Sequence, residues 1–157
     1  MRIHPLSLEE AHEICPELPG ERELLYPIVQ HSTHFFGPGW RRIGGGGRSS
    51  FDGIWRGPRG EQVIVEARPR LERLRVEDPV QRGSLERRLR TGITELPARP
   101  GLVVVAAEVT AAGESALESL VSRWEAQLSS VELWVLRPKG EPEGEVVGFW
   151  RRVLLPR

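Results

Sequence analysis

Cysteine and lysine are almost missing from this chain of 157 residues. The single cysteine, Cys15, excludes an internal disulfide and any zinc site built on paired cysteines. Lys139 is the only lysine among 22 basic residues, and the other 21 are arginines. No run of 18 apolar residues occurs, so no transmembrane helix is expected. The first residues, Met1-Arg2-Ile3-His4-Pro5, lack the apolar stretch of a secretory signal, which points to a cytoplasmic location and a reducing compartment. Net charge is also absent, with 22 acids against 22 bases. That excludes a uniformly basic coat, although not a local basic patch.

What is present is a length and composition suited to one domain with a real core: 39% hydrophobic and 28% charged residues. The charge is segregated along the chain. Residues 1–39 carry six acids and two arginines, residues 40–100 eight acids and fourteen arginines, and residues 101–157 eight acids and six bases. Only the middle third can serve as a footprint for a polyanion.

The element pattern is mixed. A helix is expected between Pro5 and Cys15, with Ser7 and Glu10 spaced as a capping box. A second begins at Glu21 and is limited by Pro27. Trp40 to Ile43 reads as a short strand, and Gly44-Gly45-Gly46-Gly47 as a flexible or closely approached loop. Phe51 to Arg56 and Gln62 to Ala67 alternate as strands around the turn Gly57-Pro58-Arg59-Gly60, and form a hairpin. Leu85, Leu89, Ile93 and Leu96 give a helix over 84–96 one apolar face, and Leu117, Leu120, Val121, Trp124 and Leu128 do the same over 114–128. Leu102 to Ala107 and Val131 to Leu136 are buried-type strands, and Glu145 to Leu155 reads as a last strand. The order predicts a single α/β domain with a mixed sheet.

Candidate chemistry lies in the hairpin. Thirteen residues separate Asp52 from Glu66, so adjacent strands bring the two carboxylates together. Close carboxylates repel and are commonly held by a divalent cation, and oxygen ligands favour Mg²⁺ or Mn²⁺. Arg68, two residues after Glu66, shares its strand face and could stabilise transition-state charge. Arg87 and Arg88, with Arg82 before them, give the helix over 84–96 a basic side for phosphate contacts. Arg48, following the glycines, adds to that set. His31 and His34 have no third ligand close in sequence, and Trp124, Trp134 and Trp150 read as core or interface aromatics.

A helix, a strand, a glycine-rich segment, Phe51-Asp52-Gly53-Ile54, a turn and Val63-Ile64-Val65-Glu66-Ala67-Arg68 resemble the PD-(D/E)XK superfamily of restriction-endonuclease-like nucleases. The pattern is closest to the Holliday-junction-resolvase-like branch. The resemblance covers residues 21–107 and implies an αβββαβ core there; the residue pattern itself adds an N-terminal helix in 1–20 and a helix and β-hairpin in 108–157. It further implies a Mg²⁺-dependent (or Mn²⁺-dependent) nuclease acting on DNA, often as a homodimer. Asp52 and Glu66 would be its metal ligands, joined by Glu23 or Glu21 from the early helix. Two features depart from the motif: Arg68 stands where the family has lysine, and arginine holds its proton at neutral pH; and the residue before Asp52, preceded by Ser50, is not the proline that many members carry there. The motif therefore leaves a second reading, a catalytically degenerate member that binds nucleic acid or assembles with protein. A third is an unrelated α/β interaction domain. Glu66 closed into an ion pair with arginine would favour the second.

Overall fold

A computed structural model describes residues 19–45, 51–77, 84–96, 98–137 and 144–156. The helix expected before Cys15, the second half of the glycine run, and Arg48 and Arg82 lie outside the described residues.

The chain starts with α1 (Glu21–Gln30) and α2 (Ser32–Phe36). Pro27 has no N–H to donate, and α1 ends three residues after it. The antiparallel strands β1 (Arg41–Gly44), β2 (Gly53–Arg56) and β3 (Gln62–Ala67) follow. Gly45, at φ +105°, lies so close to β2 that a Cβ there would meet the Gly53 Cα at 2.3 Å. Close approach, rather than flexibility, is thus the use of that glycine.

Next come β4 (Arg70–Leu71), α3 (Arg73–Glu77) and α4 (Leu85–Gly92), the last finishing in a 3₁₀ turn over Ile93–Glu95. Strands β5 (Gly101–Ala106) and β6 (Glu108–Val109) lead to α5 (Ala111–Trp124), β7 (Ser130–Val135), β8 (Gly144–Val146) and β9 (Phe149–Leu155). The main sheet has seven strands in the order β1-β2-β3-β5-β7-β9-β8. Its centre, β3-β5-β7, is parallel, and α4 and α5 supply the crossovers that parallel pairing requires. A separate two-stranded parallel sheet pairs β4 with β6.

Helices cover both faces of the sheet. Ile64, Leu102 and Val104 pack with Leu85 and Leu89 of α4 and with Leu117 and Leu120 of α5. On the opposite face Trp55, Val65 and Val103 pack with Leu24, Ile28 and Phe35. Trp134 stacks on Phe35 with ring centroids 5.8 Å apart, so this tryptophan belongs to the core. The alternation of β3 between the two faces, Ile64 and Glu66 towards α4 and Val63, Val65 and Ala67 towards α1, positions the site.

The structure departs from the sequence-based expectation in four places. Residues 145–155 form a hairpin rather than one strand, because Val147 at φ 44° and Gly148 at φ 92° make a tight turn. Asp52 sits in a bend one residue before β2 rather than on the strand. Helix α5 starts at Ala111, where the Thr110 hydroxyl accepts the Gly113 N–H at 2.9 Å. The short β4, β6 and α3 had no periodic signal long enough to read.

Candidate functional site

The antiparallel register pairs Gly53 with Val65, which sets Asp52 across from Glu66. Glu66 faces α4 and is only 1% exposed. Arg68 follows on the same face, 2% exposed, with its backbone N–H on the Val105 carbonyl at 2.9 Å. From the helix side, Leu85 and Leu89 bury against the sheet and carry Arg88 inward between them. Asp52, Glu66, Arg68 and Arg88 therefore converge.

One guanidinium nitrogen organises the group. Nη1 of Arg68 lies 3.2 Å from Asp52 Oδ2 and 3.4 Å from Glu66 Oε2, and donates to the Ala67 carbonyl at 2.7 Å. Nη1 of Arg88 reaches Asp52 Oδ1 at 3.2 Å and Glu66 Oε2 at 3.8 Å. The Ala67 N–H donates to Asp52 Oδ2 at 3.0 Å. Glu66 Oε1 is buried with no hydrogen-bond partner among the described residues.

The two carboxyls are driven apart in acidity. Burial, the largest influence on each, raises both. At Asp52 it is outweighed by the hydrogen bond from Glu66, the Ala67 N–H and the charges of Arg68 and Arg88, which together hold the carboxyl below its ordinary range. At Glu66 burial is reinforced by the bond to Asp52 and by that carboxylate's charge, so Glu66 sits well above its ordinary range despite both arginines. The two carboxyls thus titrate as a coupled pair, with Asp52 pushed down and Glu66 pushed up.

A raised carboxyl favours folding below its unfolded value and gives up that contribution as pH climbs towards the folded value. Stability of the wild-type chain is expected to decline as pH rises above about 4.5, the ordinary value for Glu66, by at most about 1.4 kcal/mol per pH unit. Glu66→Gln keeps the shape and a donor towards Asp52, and it should flatten that decline. Thermal melts across the pH range check this, and an unchanged slope in the variant would refute the raised value of Glu66. Below about pH 3.8 the sign reverses at Asp52, whose depressed value costs stability as it protonates.

The four residues do not fit a divalent cation. Nη1 of Arg68 stands between the two carboxylates where the ion would sit, and two arginines already balance two potential negative charges. Among the described residues no group of three or more His, Cys, Asp or Glu side chains could hold a metal. Glu23 does not join the pair, since its carboxylate turns back to accept the Gly20 N–H at 3.1 Å. Arginine cannot relay a proton at neutral pH, and Glu66, the carboxyl pushed above its ordinary range, is buried. The arrangement locks β2, β3 and α4 together.

Of the arginines expected to touch phosphate, Arg87 is exposed on α4. Arg88 points into the cluster, a direction its place beside Leu89 on the apolar face of the helix could have signalled. The wide separation of Arg88 from Asp52 in sequence hid their contact.

No family model matches the chain, and no curated protein or solved structure matches it either.

Proposed function

We propose that this chain is a non-cutting domain of the restriction-endonuclease-like kind that binds nucleic acid through its arginines. The observation that carries this reading is the closure of Asp52 and Glu66 by Arg68 and Arg88. A metal-dependent nuclease needs those carboxylates open to a cation and a scissile phosphate, and here a guanidinium takes the cation's place. The order α1, β1, β2, β3, α4, β5 over residues 21–107 supports the kinship. The arginine excess of residues 40–100 supports the anionic partner, because the exposed Arg41, Arg56, Arg59, Arg87 and Arg90 all lie in that third.

The test is incubation with supercoiled plasmid and Mg²⁺ or Mn²⁺, beside a binding assay on labelled DNA. Expected are intact plasmid and an affinity that falls steeply with salt, as counterion release demands. Nicking that Asp52→Ala and Glu66→Ala both abolish would make the chain an active nuclease instead.

A further inference from the structure

On the β1–β2 ribbon two arginines stand directly opposite each other, Arg41 across from Arg56. Both are exposed, and neither makes an ion pair with any described carboxylate. Directly opposed like charges destabilise an antiparallel pair, so the ribbon carries an unfavourable contact with no internal compensation among the described residues. The next cross-strand pair differs. Arg42, opposite Trp55, donates to the Asp52 carbonyl at 3.0 Å and to the Gly45 carbonyl at 3.3 Å, and lies over the Trp55 ring at 5.8 Å. Arg42 is thus occupied by the fold. Arg41 and Arg56 are not.

The same row continues into β3, where Arg56 faces Gln62. Oε1 of Gln62 is buried and has no hydrogen-bond partner among the described residues. Two guanidinium forks in one row offer planar, multidentate donors, the geometry that suits phosphate oxygens, whereas the buried Gln62 Oε1 is an acceptor and adds nothing towards an anion. Cross-strand Cβ atoms lie about 5 Å apart, close enough for both forks to grip one phosphate or two successive ones.

We infer that the Arg41–Arg56 pair is the primary contact for a phosphodiester backbone, on the sheet face that Ile54 and Ile64 share with α4 and at the end of β2 away from Asp52. The inference rests on the nucleic-acid reading above and names its surface. It accounts for two like charges kept opposite each other: the repulsion is relieved when the backbone docks.

Fluorescence anisotropy with a labelled DNA duplex, and with one of its single strands, tests this. Arg41→Gln/Arg56→Gln is expected to weaken binding by about tenfold or more and to flatten the dependence of log K on log salt by about 2, with melting temperature unchanged or raised. Arg41→Lys/Arg56→Lys should keep the salt slope, since charge is retained. Arg87→Gln/Arg90→Gln is the comparison. If binding survives loss of the ribbon pair, the ribbon is not the contact, and the nucleic-acid reading stands on another surface. If the wild-type chain binds neither probe, the reading and the inference fall together. A melting temperature lowered by the glutamine pair would mark these arginines as structural and overturn the inference.

Discussion

Arg68→Ala is expected to lower the free energy of unfolding by about 3–5 kcal/mol, the range for removing one partner from a buried ion pair. The side chain is 2% exposed and ranks among the largest fully buried ones in the protein. Its Nη1 serves Asp52, Glu66 and the Ala67 carbonyl at once. Without it the Asp52 carboxylate keeps Arg88, 26% exposed, the Ala67 N–H and the bond to Glu66, with no buried cation beside it. Arg68→Met separates charge from volume. It refills much of the space with a flexible apolar side chain, so a loss close to that of alanine assigns the effect to charge. Urea unfolding measures both. A loss below about 1 kcal/mol in both variants would mean that solvent reaches the carboxylates readily, and the case against a cation site would weaken with it. Against a total stability of about 5–15 kcal/mol for a domain of this kind, the expected loss endangers the fold at body temperature.

Trp55→Ala carries the second large effect, about 3–5 kcal/mol. Trp55 is completely buried, its ring lies 5.5 Å from that of Phe36, and its Nε1 donates to the Ser32 hydroxyl at 2.7 Å. That hydroxyl in turn donates to the Ile28 carbonyl at 3.0 Å, so one indole ties β2 to the junction of α1 and α2. Truncation opens a cavity, breaks the tie and removes the ring beneath Arg42. Trp55→Phe keeps most of the volume and should cost roughly half as much, and thermal melts of the two variants give the comparison. The site feels the change too, because β2 has Asp52 before its first residue and Arg56 at its last. An alanine variant as stable as the wild type would show that the α1–α2 layer packs on the sheet without this anchor.

The parts of the fold that were legible in the sequence are those with a long or repeated signal. Val63-Ile64-Val65 announced β3, and Gly57-Pro58-Arg59-Gly60 announced the turn before it. The leucines of α4 and α5 gave the faces that now cover Ile64 and Val104. The proximity of Asp52 and Glu66 was legible for the same reason, since a hairpin of known turn fixes which residues face each other. The hairpin of β8 and β9 was not legible: its turn uses Val147 at positive φ, a place where asparagine or glycine would have given warning. Arg88 was legible only in its direction. In a run of Arg87, Arg88 and Arg90 composition treats all three as surface; the helical spacing puts Arg88 beside Leu85 and Leu89, while its partner Asp52, far off in sequence, stayed hidden. Charge alone pointed to a metal between the carboxylates; the inward arginine is what changes the balance.

The cation at the centre of this cluster is part of the polypeptide. A guanidinium so attached has no dissociation constant, cannot be stripped by a chelator, and faces no competition from other ions. Asp52 and Glu66 gain their cationic partners as soon as β2 pairs with β3 and α4 closes over them. Completion of the site is therefore set by folding alone, independent of the ionic supply around the protein.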